Sequence, residues 1–543
     1  MTPGRQRLAR GRAVATLAAV LVLGLAGGVL ALGGVGSEQP LSGGAVREAL
    51  VVDGPLSVLP PFAETVNSRD LSGLLYRGLT RTGADARPVG ELARDWSVDT
   101  AARTFTFRLR RGLRWSDGAP ITSADALFTL SVLQSDADAR SATGQAWSGI
   151  GATAPDAFTV VYTLPQSSAA FLALTSIGLL PEHSLAPRAI NTLRQAVDAP
   201  TSGPFRLGRL ERDRVTLERN PHAFERPYVD GLELHLYDSR PRAVQALLAG
   251  EVDVFAGMTG QEARRVSAAV NRRVIAGSTF TYSEILLNQR NDALADERVR
   301  HAIGLAIDRP GVVAGPLAGY AVTDESPIPP AISWAAIAAR GPEVNRVAAA
   351  RQLDAAGWHR AGRWRMKDGH RLQLRLATVD APPYTAVAAR VEDDLASMGI
   401  ATIPQPRSQE ALVTLLQSAL ARTATPEFDM ALTAVDNGPD PDIYVFWHSS
   451  QAGPGGFNFS GMAPNEALDR ALETGRSTSD YKVRRGAYLD AQKLILAAHP
   501  AVFLYSPQAL VGARDAVKGI RLPTGGARYD LVQEWYLLSQ RRL

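Results

Sequence analysis

The stretch Leu432 to Gln451, LTAVDNGPDPDIYVFWHSSQ, places three carboxylates, Asp436, Asp440 and Asp442, within seven residues, next to Tyr444, Phe446 and Trp447. An acid held beside aromatics at the mouth of a cleft can receive a cationic group on a ligand. The same acids can equally satisfy their own backbone in a solvated turn, as Asp side chains commonly do. Calcium fits the spacing poorly, because an EF-hand loop starting at Asp436 needs a bidentate Glu at its twelfth position, where the chain has Trp447. Acid and base roles for Asp440 and Asp442 would need oxyanion donors or a metal beside them. The eight histidines form no H-E-x-x-H pair, and there is no G-x-S-x-G elbow and no P-loop. A hydrolase is therefore the remote alternative to a binding protein, and no cofactor or metal is expected.

The elements that must hold these residues read as an alternation of strands and helices. The apolar run ending at Asp436 is a strand, and Gly438, Pro439 and Pro441 prevent it from continuing as strand or helix. Phe105, Phe107 and Leu109 alternate with Thr106, Arg108 and Arg110, as in a half-buried strand. Thr122 followed by Asp125 resembles a capping box opening the helix of Leu127, Phe128 and Leu130. Asp296 can cap a helix whose Val299, Ala302, Ile303 and Ala306 share one face, and Asn345 can cap the helix reaching Leu353. Leu372, Leu374 and Leu376 alternate as a strand; Val387, Val391 and Leu395 form a helical stripe. The helix from Asp480 to Ala498 leads through Pro500 into the strand VFLY. No fixed repeat is present, which favours α/β lobes over a solenoid.

With 543 residues, of which 45% are hydrophobic, the chain is long enough for two or three domains. Its start is separate. Arg5, Arg7, Arg10 and Arg12 precede a charge-free run from Ala13 to Gly36, enough to cross a hydrocarbon core of roughly 30 Å as one helix. Positive residues before such a run keep the N-terminus in the cytoplasm. Residues 1–36 are thus expected to be a basic tail and membrane anchor, with the body on the outer face of the cytoplasmic membrane, or released to the periplasm or exterior if the segment is cleaved. Setting those residues aside leaves 54 basic against 54 acidic groups, so the pI of 9.3 reflects the tail and gives no reason to expect nucleic acid. The absence of cysteine excludes disulfides, thiolate metal sites and a lipid-modified cysteine anchor.

Several segments carry a resemblance in the right order. LA-x-x-W, then TFTFRLR-x-G, then W-S-D-G-x-P-I-T-S-x-D lie between Leu92 and Asp125. TSGPFRLGRLERDRVTLERNPHAF begins at Thr201, AVQALLAGEVDVF at Ala243 and DERVRHAIGLAIDRPGVV at Asp296; GGFNFSGM is followed by NEALDRAL. From about residue 48 onward the chain resembles the family 5 extracytoplasmic solute-binding proteins of ABC importers, which includes oligopeptide, dipeptide and nickel binders.

That resemblance implies a bilobed α/β fold of the periplasmic-binding-protein type II-like kind, with an extra subdomain and hinge closure on the ligand. One lobe would comprise residues 45–67, 201–278 and 503–543, with the extra subdomain at 68–200; the other lobe would be 279–502, with crossings near 279 and 502. Trp96, Trp115, Asp117 and Asp125 would be structural. In peptide-binding members an Asp after a strand pairs with the α-ammonium of the peptide, and Asp436 occupies that position. Thr433, Ala434 and Val435 would offer backbone groups to an extended peptide. Here Thr433 stands where the family has Trp, and Pro439 shifts the following acids by one residue. Phe62, Thr65 and Asn67 in an early loop, Asn288 at a strand end, and Trp447 and Phe459 as pocket walls complete the expected ligand contacts. The implied partners are a peptide ligand, the ABC permease subunits with their ATPases, and the membrane through the N-terminal helix. Other solutes that fit the same fold are a nickel chelate, an oligosaccharide or a signal molecule.

Overall fold

The computed structural model describes residues 42–52, 54–135, 141–337, 344–420 and 427–538. The expected membrane anchor, Ala13 to Gly36, lies outside them; among the described residues no helix is long and apolar enough to cross a membrane.

The site is positioned by a twelve-stranded sheet assembled from distant parts of the chain. Its strands are β1 (Ala45–Val51), β2 (Phe205–Leu210), β3 (Arg214–Arg219), β4 (Gly231–Tyr237), β5 (Val254–Ala256) and β6 (Arg272–Ser278), followed by β7 (Thr281–Leu287), β8 (Ala321–Thr323), β9 (Gln373–Val379), β10 (Ala401–Arg407), β11 (Met430–Asp436) and β12 (Ala501–Arg514). The spatial order is β10-β9-β11-β7-β12-β5-β1-β4-β3-β2, with β6 and β8 also paired to β12. The fourteen residues of β12 join two halves. Up to Pro507 it pairs with β7 and β8, and from Gln508 it pairs with β6 and then β5. The chain crosses between the halves again at Thr279 and Phe280, and the Thr279 hydroxyl donates to Pro507 O at 2.7 Å, tying the two crossings together. The change of partners lies a few residues past the expected crossing near 502, because β12 begins in the second half before it passes into the first.

In the second half the sheet is covered on both faces, so β7 and the start of β11 are buried on both sides, whereas the start of β9 alternates. Ile285, Leu287 and Leu432 face a core filled by α1 (Glu297–Ala306), α2 (Arg346–Ala355) and α3 (Tyr384–Ser397) through Val299, Ile303, Leu353, Val387 and Val391. Tyr282, Leu286 and Ala431 face the other core, filled by α4 (Gln409–Ser418), α5 (Glu466–Arg476) and α6 (Tyr481–Ala498) through Leu412, Leu416, Leu468, Tyr488 and Ile495. Each fully buried Leu, Ile or Val contributes about 1.5–3 kcal/mol, so these stripes fix which helix face meets the sheet. Asp296, Asn345 and Asp480 accept backbone N–H groups at the starts of α1, α2 and α6, which sets where each begins.

The first half carries a separate four-stranded antiparallel sheet, Ala93–Val98, Thr104–Leu109, Thr159–Thr163 and Gly151–Asp156 in spatial order. Phe105, Phe107 and Leu109 are buried as their alternation requires, and the Thr122–Asp125 capping box is formed. This layer and its neighbours reach across to the second half. Ala169 N–H donates to Arg476 O at 2.9 Å, the Ser479 hydroxyl donates to Asp99 O at 3.2 Å, and the Arg87 guanidinium lies 4.7 Å from the ring of Tyr481 and 5.7 Å from that of Trp334.

Candidate functional site

β11 emerges from the core as it approaches the crevice. Met430, Ala431 and Leu432 are buried, whereas Ala434 and Asp436 are exposed. On one side β7 accompanies it along its whole length, with Thr281 opposite Asp436 and Leu287 opposite Met430. On the other side β9 pairs only with Met430, Ala431 and Leu432, so among the described residues Thr433 to Asp436 have no strand neighbour there. Backbone groups of an antiparallel strand point alternately to its two sides. The Asn437 N–H donates to Phe280 O at 3.1 Å, and the Ser283 hydroxyl reaches Thr433 O at 2.9 Å. Counting back by twos, Val435 and Thr433 turn their N–H and C=O toward β7; Ala434 and Asp436 turn theirs to the open edge.

The three clustered acids separate into two kinds. Asp440 is bound by Arg484 at 2.6 Å and Asp442 by Arg476 at 2.8 Å, so both are consumed in holding α6 and α5 to the loop. Asp436 is exposed; its Oδ1 accepts the Gly438 N–H at 2.9 Å, and among the described residues it has no basic partner. It is at once a turn residue and a carboxylate with an oxygen left to accept. No group of three or more His, Cys, Asp or Glu suited to a metal occurs among the described residues.

Beside this edge is a cavity of about 250 Å³. Its floor is Glu284 and Leu286 of β7 with Thr433 and Val435 of β11; its walls are Leu412 and Leu416 of α4, Phe446 and Trp447 after β11, and Phe457 and Phe459 from the next loop. A second cavity of about 190 Å³ shares Tyr384 and Ala434 with the first and is lined by Arg240, Thr259 and Gln508 from the first half and Ser283 and Tyr505 from the second. The cavity between the halves therefore adjoins the pocket on the second at Tyr384 and Ala434.

Glu284 is only 2% exposed, and its Oε2 has no hydrogen-bond partner. Burial pushes its carboxyl up to about 8, with no basic group nearby to oppose the shift.

Six of the expected contacts, Thr433, Ala434, Val435, Asp436, Trp447 and Phe459, line the larger cavity together. Trp447 is also core, 1% exposed and packed on Phe503 at 6.0 Å between ring centroids. The other four lie in the lining of neither cavity. Phe62 is buried in the first-half core beneath the Arg194 guanidinium at 4.7 Å. Thr65 caps the helix Val66–Leu75, and Asn67 donates to Val51 O. Asn288 is a buried turn-former, donating to Phe428 O at 3.1 Å and accepting from Arg290 N–H at 3.2 Å. Sequence reasoning missed Glu284, Tyr384 and Phe457, whereas Phe446, singled out there as an aromatic beside the acids, does line the cavity. For Glu284 a signal exists: it is the one charge inside YSEILL, an otherwise buried strand run where a carboxylate is costly.

The chain matches the model of the bacterial extracellular solute-binding proteins, family 5 middle region, over residues 87–456. Protein XP55 of Streptomyces lividans is 29% identical over 459 residues, covering 83% of this chain and 81% of that protein. The oligopeptide-binding protein AppA of Bacillus subtilis is 25% identical over 488 residues, covering 87% of each. Its structure in complex with a nonapeptide aligns with a TM-score of 0.71 at 23% identity, covering 92% of this chain and 100% of that one. NikZ of Campylobacter jejuni, in complex with Ni(L-His), gives a TM-score of 0.71 at 21% identity over 91% and 99% of the two chains. The fold is thus the bilobed α/β fold of periplasmic binding proteins.

Proposed function

Because the chain belongs to the bacterial extracellular solute-binding proteins of family 5, it binds a solute outside the cytoplasm, and we propose that this solute is a short peptide, captured between the lobes and delivered to the permease and ATPases of an ABC importer. The observation that carries this reading is the open edge of β11 ending in the unpaired Asp436. An extended peptide can add there as a strand, with main-chain bonds to Ala434 that do not read side chains. Asp436 then receives the α-ammonium, whose burial needs a counter-charge. The name and bound nonapeptide of AppA are in keeping with a peptide ligand.

The lobes, at residues 45–67 with 201–278 and the C-terminal segment, and at 279 to the β12 crossover, close about Thr279–Phe280 and Pro507–Gln508. Residues 68–200 form the extra subdomain that meets the second lobe through Arg87, Asp99 and Ala169. The arginine-flanked apolar run before residue 37 supports retention on the outer face of the membrane. Recovery of a shortened chain, beginning after Gly36, in the wash from membranes would rule out the anchor.

The test of the peptide reading is thermal unfolding of the full-length chain in detergent with pooled short peptides, each pool with free and with acetylated amino ends. Ligand at about 100 times its Kd stabilises by about 2.7 kcal/mol. Stabilisation by free-ended peptides only, lost in Asp436→Ala, is the expected result. No shift with any pool, after refolding to remove carried-over ligand, turns the reading toward a metal chelate or a sugar.

A further inference from the structure

Glu284 has no role in the capture described so far. It is a carboxyl fixed in the floor of an apolar cavity, 2% exposed, with one oxygen lacking any hydrogen-bond partner. The groups around it are neutral: Thr433 opposite on β11, Phe503 opposite on β12, Val379 of β9, Gln409 and Leu412 of α4, Trp447, and the Tyr282 phenol two residues back on β7, which burial and the Glu284 carboxyl hold protonated. No Lys, Arg or His lines the cavity, and the nearest acid along its lining, Asp436, has the same sign. A carboxyl in such a place is costly and stays neutral unless a cation is brought to it. Among the apolar residues at the floor of the cavity, the carboxyl supplies a polar end.

We propose that this cavity is the side-chain pocket for a basic residue, an ammonium or guanidinium carried on an aliphatic stem, and that Glu284 is its counter-charge. The inference rests on the peptide reading for the ligand's main chain, whereas the pocket chemistry stands on its own residues. Walls of Leu412, Leu416, Phe446 and Phe459 suit the methylene stem, and the floor carboxyl suits the head group. Asp436 lies three residues along β11 from Thr433, the residue opposite Glu284, roughly 10 Å at strand rise. That odd separation puts the two side chains on opposite faces of the sheet, yet both line this one cavity at the open edge, so a peptide's first residue lying along that edge can present its α-ammonium to Asp436 and its basic side chain to Glu284. Filling the pocket with a cation ionises Glu284, so the carboxyl proton leaves to solvent as the ligand binds.

The experiment is calorimetric titration of the full-length chain in detergent with Lys-Ala-Ala, norleucine-Ala-Ala and cadaverine, near neutral pH, in two buffers of different ionisation enthalpy. The expected result is that Lys-Ala-Ala binds at least about tenfold tighter than norleucine-Ala-Ala. Close to one proton is released with the lysine peptide and none with the norleucine peptide. The preference collapses in Glu284→Gln. Equal affinity of the two peptides overturns the pocket assignment and leaves the peptide reading intact; so does a lysine preference that survives Glu284→Gln. Binding of cadaverine that depends on Glu284, with no binding of either peptide, upholds the pocket and overturns the peptide reading. The proton count and the ratio of the two peptides are read on the unaltered chain, so the test does not depend on the variant folding.

Discussion

Glu284 and Thr433 stand directly opposite one another across the β7–β11 pair, which sets the buried carboxyl beside the first residue of the open edge. That placement has a cost visible without ligand. The folded-state pKa is raised from 4.5 to about 8, so the folded chain holds the proton that the unfolded chain has released. The associated stability is fully present below the unfolded value and is lost as pH rises through the folded one. Urea unfolding of the wild type between these limits is expected to show falling stability that Glu284→Gln does not share, with a difference on the order of a few kcal/mol by about pH 9. Asp324, held up to about 6 chiefly by burial, titrates in both chains and cancels in the comparison. Parallel pH profiles for the two chains would sink this account of Glu284.

What could be read in the sequence is what is local. The Phe105–Phe107–Leu109 alternation, the Thr122–Asp125 box and the caps Asp296, Asn345 and Asp480 involve residues a few positions apart, so spacing alone reveals them. The site was half legible for the same reason: Thr433 to Asp436 lie on one strand, and Trp447 and Phe459 follow closely. Glu284 meets Thr433 only through the β7–β11 register, and Tyr384 enters from a helix beyond the pairing. Phe62, Thr65, Asn67 and Asn288 stand where a resemblance suggested contact, but each is engaged by its own backbone surroundings or core.

The three acids after β11 should differ sharply when their charges are disturbed. Arg484, with its side chain 3% exposed, donates to Asp440 at 2.6 Å and to Gly475 O at 2.9 Å. Arg484→Ala strands that carboxylate and carbonyl, and is expected to lower the unfolding free energy by about 3–5 kcal/mol. Asp436→Asn, at an exposed position without an ion pair, should change it by less than about 0.5 kcal/mol. Denaturant unfolding of both variants checks the contrast, and a large loss from Asp436→Asn would mean that it is structural after all.

The open edge of β11 makes a prediction that no side-chain truncation can test. Ala434 turns its N–H away from β7, so proline there removes a donor that no described residue uses; proline is tolerated at such edge positions. Ala434→Pro should therefore fold normally while losing the main-chain bond to an added strand, weakening peptide affinity about tenfold or more. Calorimetry on the folded variant decides it. Unchanged affinity would show that ligand does not pair with this edge.

Contacts already joining the two halves predict how the closed form is held. Arg87, from the subdomain of the first half, places its guanidinium over Tyr481 at 4.7 Å and Trp334 at 5.7 Å, both in the second half. A partly exposed cation over two rings contributes about 0.5–1 kcal/mol, and this contact exists only while the halves meet. Arg87→Ala removes that contribution from the closed state and touches neither cavity, so it should speed ligand release about twofold to fivefold with little change in association rate. Stopped-flow release of a fluorescent peptide, with thermal unfolding of the ligand-free variant as control, measures both sides of the claim. If the release rate does not move while the ligand-free stability falls, Arg87 braces the fold and not its closure.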